Sequence, residues 1–142
     1  MNRADWQQIA EEKLLAAAAL LAATRWASAY YVAGYAVECG LKSCILVRLA
    51  GSPEVIFEDK TGKKYSESCW THDVERLAEL AGLKPDLDAL HPAAALADNW
   101  ATVSQWSEAT RYQVRTQNDA QKLYAAITDP ANGVMQWIKA RW

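Results

Sequence analysis

The 142-residue chain has one phenylalanine, two histidines, three cysteines, four prolines and six glycines, and each scarcity removes a class of protein. Cys39, Cys44 and Cys69 are odd in number and too sparse for a disulfide framework, so reduced thiols and a cytoplasmic setting are expected. If Cys39 and Cys44 share a helix they turn to different faces, and a bridge between them would break it. The glycines are scattered, which excludes a phosphate-cradling P-loop or a dinucleotide-binding turn. Neither charge sign dominates: 15 Lys and Arg against 17 Asp and Glu leave a net charge of -2. That balance removes the whole-molecule case for a nucleic-acid coat or a membrane-surface binder and leaves only local basic patches. Long apolar runs are also missing. The most apolar stretch, Leu14 to Ala23, is enclosed by Glu11, Glu12 and Lys13 before it and Thr24 and Arg25 after it, far short of the roughly 20 residues that span a bilayer. Acidic Asp5, Glu11 and Glu12 precede it where a signal peptide carries a basic start, so neither membrane insertion nor secretion is expected.

What is present is ordinary globular material, 51% hydrophobic and 23% charged, enough for one domain over residues 1–142 with roughly 7,300 Å² of folded surface. Apolar residues recur with helical spacing throughout and no stretch alternates with period two, which predicts an all-α protein. A first helix is expected from Asp5 to about Ala23, with Trp6, Ile9, Lys13, Leu14, Ala17 and Leu21 in register. A second, from about Trp26 to Leu49, carries the most continuous stripe, from Tyr30 and Ala33 through Val37, Leu41 and Ile45, and should be central. Gly51, Ser52 and Pro53 end it, and a long connection over 50–68 follows, with Lys60, Lys63 and Lys64 clustered in it. Thr71 is the expected N-cap of a third, short helix that stops at Gly82. Lys84, Pro85 and Asp86 mark a turn, with Asp86 to Leu90 as a short helical turn. Pro92 is expected to open a helix carrying Trp100, Val103 and Trp106. Ser107 to Val114 reads as an irregular crossing segment. A helix from Thr116 to Ile127 follows, then a cap at Asp129 and Pro130 and a last helix to Trp142.

Chemistry-bearing residues are few. His72, beside Cys69 and Asp73, has no second ligand pair at metal spacing, so it reads as a histidine at a helix start bonded to backbone; His91 reads as an exposed loop residue. No cofactor or metal motif is legible. Gly34, inside an apolar helix, points to a close approach by another backbone, within the chain or across a dimer. Glu38 and Lys42 stand four apart in the favoured order for an ion pair. A carboxylate beside the apolar stripe needs a cation, and Lys42 or Arg111 could supply it. Seven tryptophans, with Trp100, Trp106, Trp137 and Trp142 in the last third, fit a core or an interface, and also base stacking. Arg111 and Arg115 are candidate phosphate contacts.

The string AYYVAGYAVECGLKSCI, from Ala29 to Ile45, resembles the signature helix of HEPN domains, small helical bundles of prokaryotic toxin, antitoxin and nucleotidyltransferase-associated proteins. THDVERLAELAGL from Thr71, NWATVSQWSEATRY from Asn99 to Tyr112 and GVMQWIKARW at the C-terminus continue the resemblance in the same order, to an uncharacterised bacterial branch. It implies an up-and-down bundle of four to five helices and a homodimer whose interface forms the functional groove. Many HEPN domains are metal-independent ribonucleases that use an arginine followed, four to six residues later, by a histidine. Here the positions after Arg111 hold Thr116, Gln117 and Asn118, and those after Arg115 hold Ala120, Gln121 and Lys122. The motif is absent. Lys84 precedes His91 but lacks the planar fork of arginine. The resemblance therefore implies a noncatalytic module that engages a nucleotide, RNA or a partner protein, with a separately encoded nucleotidyltransferase as one such partner. Its groove would hold Arg111, Tyr112, Trp106, Glu38 and Lys42. The alternative is a degenerate ribonuclease or toxin in which Arg111 acts with Lys42 or His72.

Overall fold

A computed structural model of the chain describes residues 1–51 and 67–142. The lysine cluster at Lys60, Lys63 and Lys64 and most of the connection expected over 50–68 lie outside the described residues. Within them the protein is all-α: α1 (Arg3–Ala22), α2 (Trp26–Gly51), α3 (Val74–Leu80), α4 (Lys84–Asp88), α5 (Ala95–Ser104), α6 (Gln117–Thr128) and α7 (Val134–Lys139), with a 3-10 turn at Glu108–Tyr112. The described residues thus hold seven α-helices where the resemblance implies four to five, with the short helical turn expected at 86–90 standing at Lys84–Asp88 and the last helix, expected to reach Trp142, ending at Lys139. Among them no helix is long and apolar enough to cross a membrane.

The two long helices form an antiparallel hairpin. α1 starts at a capping box in which Asn2 accepts from the Asp5 amide and Asp5 accepts from the Asn2 amide, satisfying two otherwise free donors. It ends through Thr24, whose φ of 59° is left-handed, with the Arg25 amide donating to the Leu20 carbonyl at 2.9 Å. Glycine is the usual residue at that position, and a β-branched side chain there carries strain. Thr24 is exposed, so Thr24→Gly should raise stability by about 1 kcal/mol, read as a higher urea midpoint with unchanged slope.

α2 is the centre of the molecule. It packs on α1, α3, α6, α7 and the 3-10 turn, and from Ala33 to Ile45 every residue but Tyr35 is buried. Leu41, Val37, Leu77, Leu123, Ile127 and Ile138 are its fully buried partners or members, each removing apolar surface worth roughly 1.5–3 kcal/mol per side chain. Burial pushes the thiol pKa of Cys39 and of Cys44 up to about 12, so neither supplies a thiolate near neutrality.

Several boundaries differ from the sequence expectation for local reasons. Asp73, not Thr71, caps α3: its carboxylate accepts from the amides of Glu75 and Arg76 at 3.0 and 3.2 Å, while the Thr71 hydroxyl accepts from the Asp73 amide at 3.1 Å. α5 starts after Ala94 rather than at Pro92, because the His91 imidazole accepts from the Ala93 amide at 3.0 Å and closes a separate turn. α5 also ends at Ser104, so Trp106 stands outside it. Asp129 and Pro130 do not open the last helix; Asp129 accepts from the amides of Ala131 and Asn132, and Gly133 is the N-cap of α7.

Candidate functional site

One face of α2 carries Tyr31, Tyr35, Glu38 and Lys42, spaced so that they share a side of the helix. Two segments lie over that face. The first is the turn before α3, where the paired Thr71 and Asp73 caps fix the backbone on both sides of His72. The second is the 3-10 turn, tied down by Thr110, which is 2% exposed and whose amide and hydroxyl both donate to the Ser107 carbonyl. In a 3-10 turn residues three apart eclipse one another, which sets Glu108 and Arg111 side by side.

Between these elements runs a chain of charged side chains. The Glu38 carboxylate, 0% exposed, accepts from the Lys42 ammonium at 2.8 Å and faces His72 Nδ1 with both oxygens at 3.0 Å. The other ring nitrogen, Nε2, lies 3.3 Å from Glu108 Oε2, and Glu108 Oε1 is 3.1 Å from the Arg111 guanidinium. Lys42 is buried and lies over the rings of Trp6 and Trp70 at 5.0 and 5.5 Å, so aromatic faces and one carboxylate together replace its water. Arg111 stacks on the Tyr112 ring at 4.8 Å. Partial desolvation acts against its charge, but Tyr112, Glu108 and Tyr31 more than offset that and raise its pKa further above the ordinary value.

The floor is aromatic. Tyr31 and Tyr35 stack at 6.1 Å, Tyr31 also stacks on Trp106 at 6.0 Å, and Lys13 of α1 lies 5.5 Å over the Tyr35 ring. Burial, helped by Cys39, Glu38, Tyr31 and Glu108, lifts the Tyr35 phenol pKa, so its hydroxyl keeps its proton. At the rim stand Trp70, 69% exposed, and Tyr112, 80% exposed.

The five residues singled out from sequence fare differently. Glu38 and Lys42 form the expected pair, and both are buried. Arg111 is not the cation of Glu38: its partner is Glu108, and it reaches Glu38 only through Glu108 and His72. Trp106 is 2% exposed and cannot stack on a ligand; it supports Tyr31 from below. Gly34 makes room for that indole and not for another backbone. Sequence reasoning missed Glu108, Tyr31, Tyr35, Lys13 and Trp70, and it read His72 as bonded to backbone, whereas its ring lies between two carboxylates. The Glu108 and Arg111 spacing was a readable signal; the approach of His72 was not. The absence of an Arg-x4-6-His motif is a statement about sequence only, since in space one carboxylate links Arg111 to an imidazole. No group of three or more His, Cys, Asp or Glu among the described residues could hold a metal ion.

A second concavity, about 460 Å³, is bounded by Asp73, Arg76, Glu79, Lys84, Asp88 and Trp100. Its carboxylates, Asp73, Glu75, Glu79 and Asp88, outnumber its cations, Arg76 and Lys84, so it offers little to an anion. Compared with family models, characterised proteins and solved structures, the chain has no match.

Proposed function

We propose that the chain is a binding module of the HEPN type, an up-and-down bundle elaborated with short helices, that engages a nucleotide or RNA segment without cleaving it. The observation that carries this reading is the company of Arg111: a half-exposed guanidinium and a half-exposed imidazole on one carboxylate, with the exposed ring of Tyr112 against the guanidinium and the exposed ring of Trp70 over Lys42. Guanidinium binds phosphate in a fork geometry, and exposed aromatic rings stack bases without reading their identity. The module acts as a homodimer in the cytoplasm, within a toxin–antitoxin or nucleotidyltransferase-associated system whose separately encoded nucleotidyltransferase is the protein partner. Light scattering at micromolar concentration should return the dimer mass; a monomer mass counts against that part.

The test of binding is a mobility-shift gel of total RNA with no added metal, wild type beside Arg111→Ala. The wild type should shift RNA of unchanged length, and the variant should need about tenfold more protein or higher for the same shift. Neither effect in the wild type would remove the reading. A second reading, a ribonuclease without the family motif, has one observation in its favour: His72 is held by the buried Glu38 with its other nitrogen on Glu108, the carboxylate that also meets Arg111, and an imidazole between carboxylates suits proton transfer. Cleavage lost in both His72→Ala and Arg111→Ala would establish it in place of the first.

A further inference from the structure

The two groups best suited to bind an anion on this surface already hold one. Glu108 spans them, with one oxygen 3.1 Å from Arg111 and the other 3.3 Å from His72, and its own side chain is 34% exposed. Each partner has a second contact besides Glu108. His72 is anchored from behind by both oxygens of Glu38, whose side chain is 1% exposed. Arg111 also lies over the ring of Tyr112 at 4.8 Å. If the Glu108 side chain swings to solvent, a guanidinium and an imidazole remain aimed at one vacated point, with the protonated hydroxyl of Tyr35 and the Lys13 ammonium on the same α1–α2 face. The groups around His72 are Glu38 and Lys42 from α2, Glu108 and Arg111 from the 3-10 turn, and Asp73 from its own turn. The three carboxylates outnumber Lys42 and Arg111 by one as long as Glu108 is in place, and the count balances once it swings away.

Resting on the anion-binding reading above, we propose that Glu108 is the internal occupant of this site and that the group that displaces it is a terminal phosphate monoester, not the internal phosphodiester of a strand. An internal diester carries one negative charge over two oxygens, so exchanging it for a carboxylate gains no charge. A terminal monoester carries about -1.5 to -2 at neutral pH with three acceptor oxygens. It engages Arg111 through two oxygens and leaves a third for His72. The ligand is a nucleoside monophosphate or a phosphate-ended RNA, its base stacking on the exposed Tyr112 ring beside Arg111. The built-in carboxylate acts as a threshold that keeps the abundant internal phosphates of RNA from occupying the site.

The experiment measures fluorescence anisotropy of one internally labelled oligoribonucleotide in three forms: with a 5′-phosphate, with a 3′-phosphate, and with hydroxyls at both ends. Each is titrated with wild type, Glu108→Gln and Arg111→Ala. At least one phosphate-ended form should bind wild type about tenfold tighter than the hydroxyl-ended form. Glu108→Gln, close in shape and checked for an unchanged circular-dichroism spectrum and urea midpoint, should tighten both forms about tenfold. Competition by uridine monophosphate but not uridine would show that the free nucleotide suffices; competition only by phosphate-ended RNA would assign the site to strand ends. Equal binding of all three forms to wild type, or Glu108→Gln with unchanged or weaker affinity, overturns the proposal and leaves RNA binding itself standing. No binding by any form to wild type or to Glu108→Gln removes the proposal and the binding reading together.

Discussion

Glu38→Gln is expected to lower the stability of the fold by about 3–5 kcal/mol, while Arg111→Ala leaves the urea midpoint almost where it was. The contrast follows from burial. Glu38 is 0% exposed and is the acceptor for the ammonium of Lys42, itself 6% exposed, and for Nδ1 of His72. A glutamine has one acceptor oxygen and one amide that can only donate, so it must turn a donor toward either Lys42 or His72. Lys42 then keeps the Trp6 and Trp70 ring faces, which are weaker than a carboxylate for a charge removed from water. Arg111 stands in solvent with a half-exposed partner, where screening makes an ion pair nearly irrelevant to folding. Had Arg111 been the cation of Glu38, the two substitutions would cost alike. The decisive comparison adds Glu38→Leu with Lys42→Met: removing both charges should restore most of what either single change loses, because the penalty arises from one buried charge left alone. Strictly additive losses in that cycle, read by urea titration of circular dichroism, would mean that the pair is not coupled.

The reach of the sequence into this structure followed the range of the interactions. Periodicity within one helix is a local property, and it located α1, α2 and α6 to within two residues, as well as the partnership of Glu38 with Lys42 one helical turn on. Caps were legible as residue types but not as positions: Thr71 and Asp73 are both cap formers two residues apart, and which of them ends up at the helix start depends on where His72 must lie against α2. The same limit applied at Pro92, where a proline suited to a helix start stands in a turn closed by His91. The candidate site was half legible. Arg111 and Tyr112 could be named from their segment, but the imidazole that completes the cluster comes from a residue 39 positions away in the chain, and only the packing of both turns on α2 brings them together. Trp106 shows the opposite error. The resemblance placed it in the ligand groove although its spacing also fitted a core, and its position just past the end of α5 turns it into the core.

Gly34→Ala should lower the stability of the fold by about 3 kcal/mol net. A β-carbon on Gly34 would lie 2.3 Å from Cγ, Cδ1 and Nε1 of the Trp106 ring, where no real contact is possible, and the ring is a rigid plate with no flexible end to yield. It is confined on another side by Tyr31, stacked on it at 6.0 Å, so the indole must leave its slot or α2 must move. Alanine favours helix over glycine by about 1 kcal/mol, and the measured loss is what remains after that gain. Gly40→Ala isolates this term: it stands on the same helix, gains the same propensity, and its β-carbon would lie nearest the Ile138 γ2-methyl and the Met135 sulfur, at 3.0 and 3.6 Å. It should therefore cost far less. Combining Gly34→Ala with Trp106→Leu, which opens the slot, should cost clearly less than the two single losses added. The effect should also reach the site, because Tyr31 rests on the indole and its hydroxyl supports Arg111. Gly34→Ala should accordingly weaken RNA binding under conditions where circular dichroism shows the protein still folded. A Gly34→Ala protein as stable as Gly40→Ala would show that the indole is free to move, and that the floor beneath Arg111 is not set by this contact.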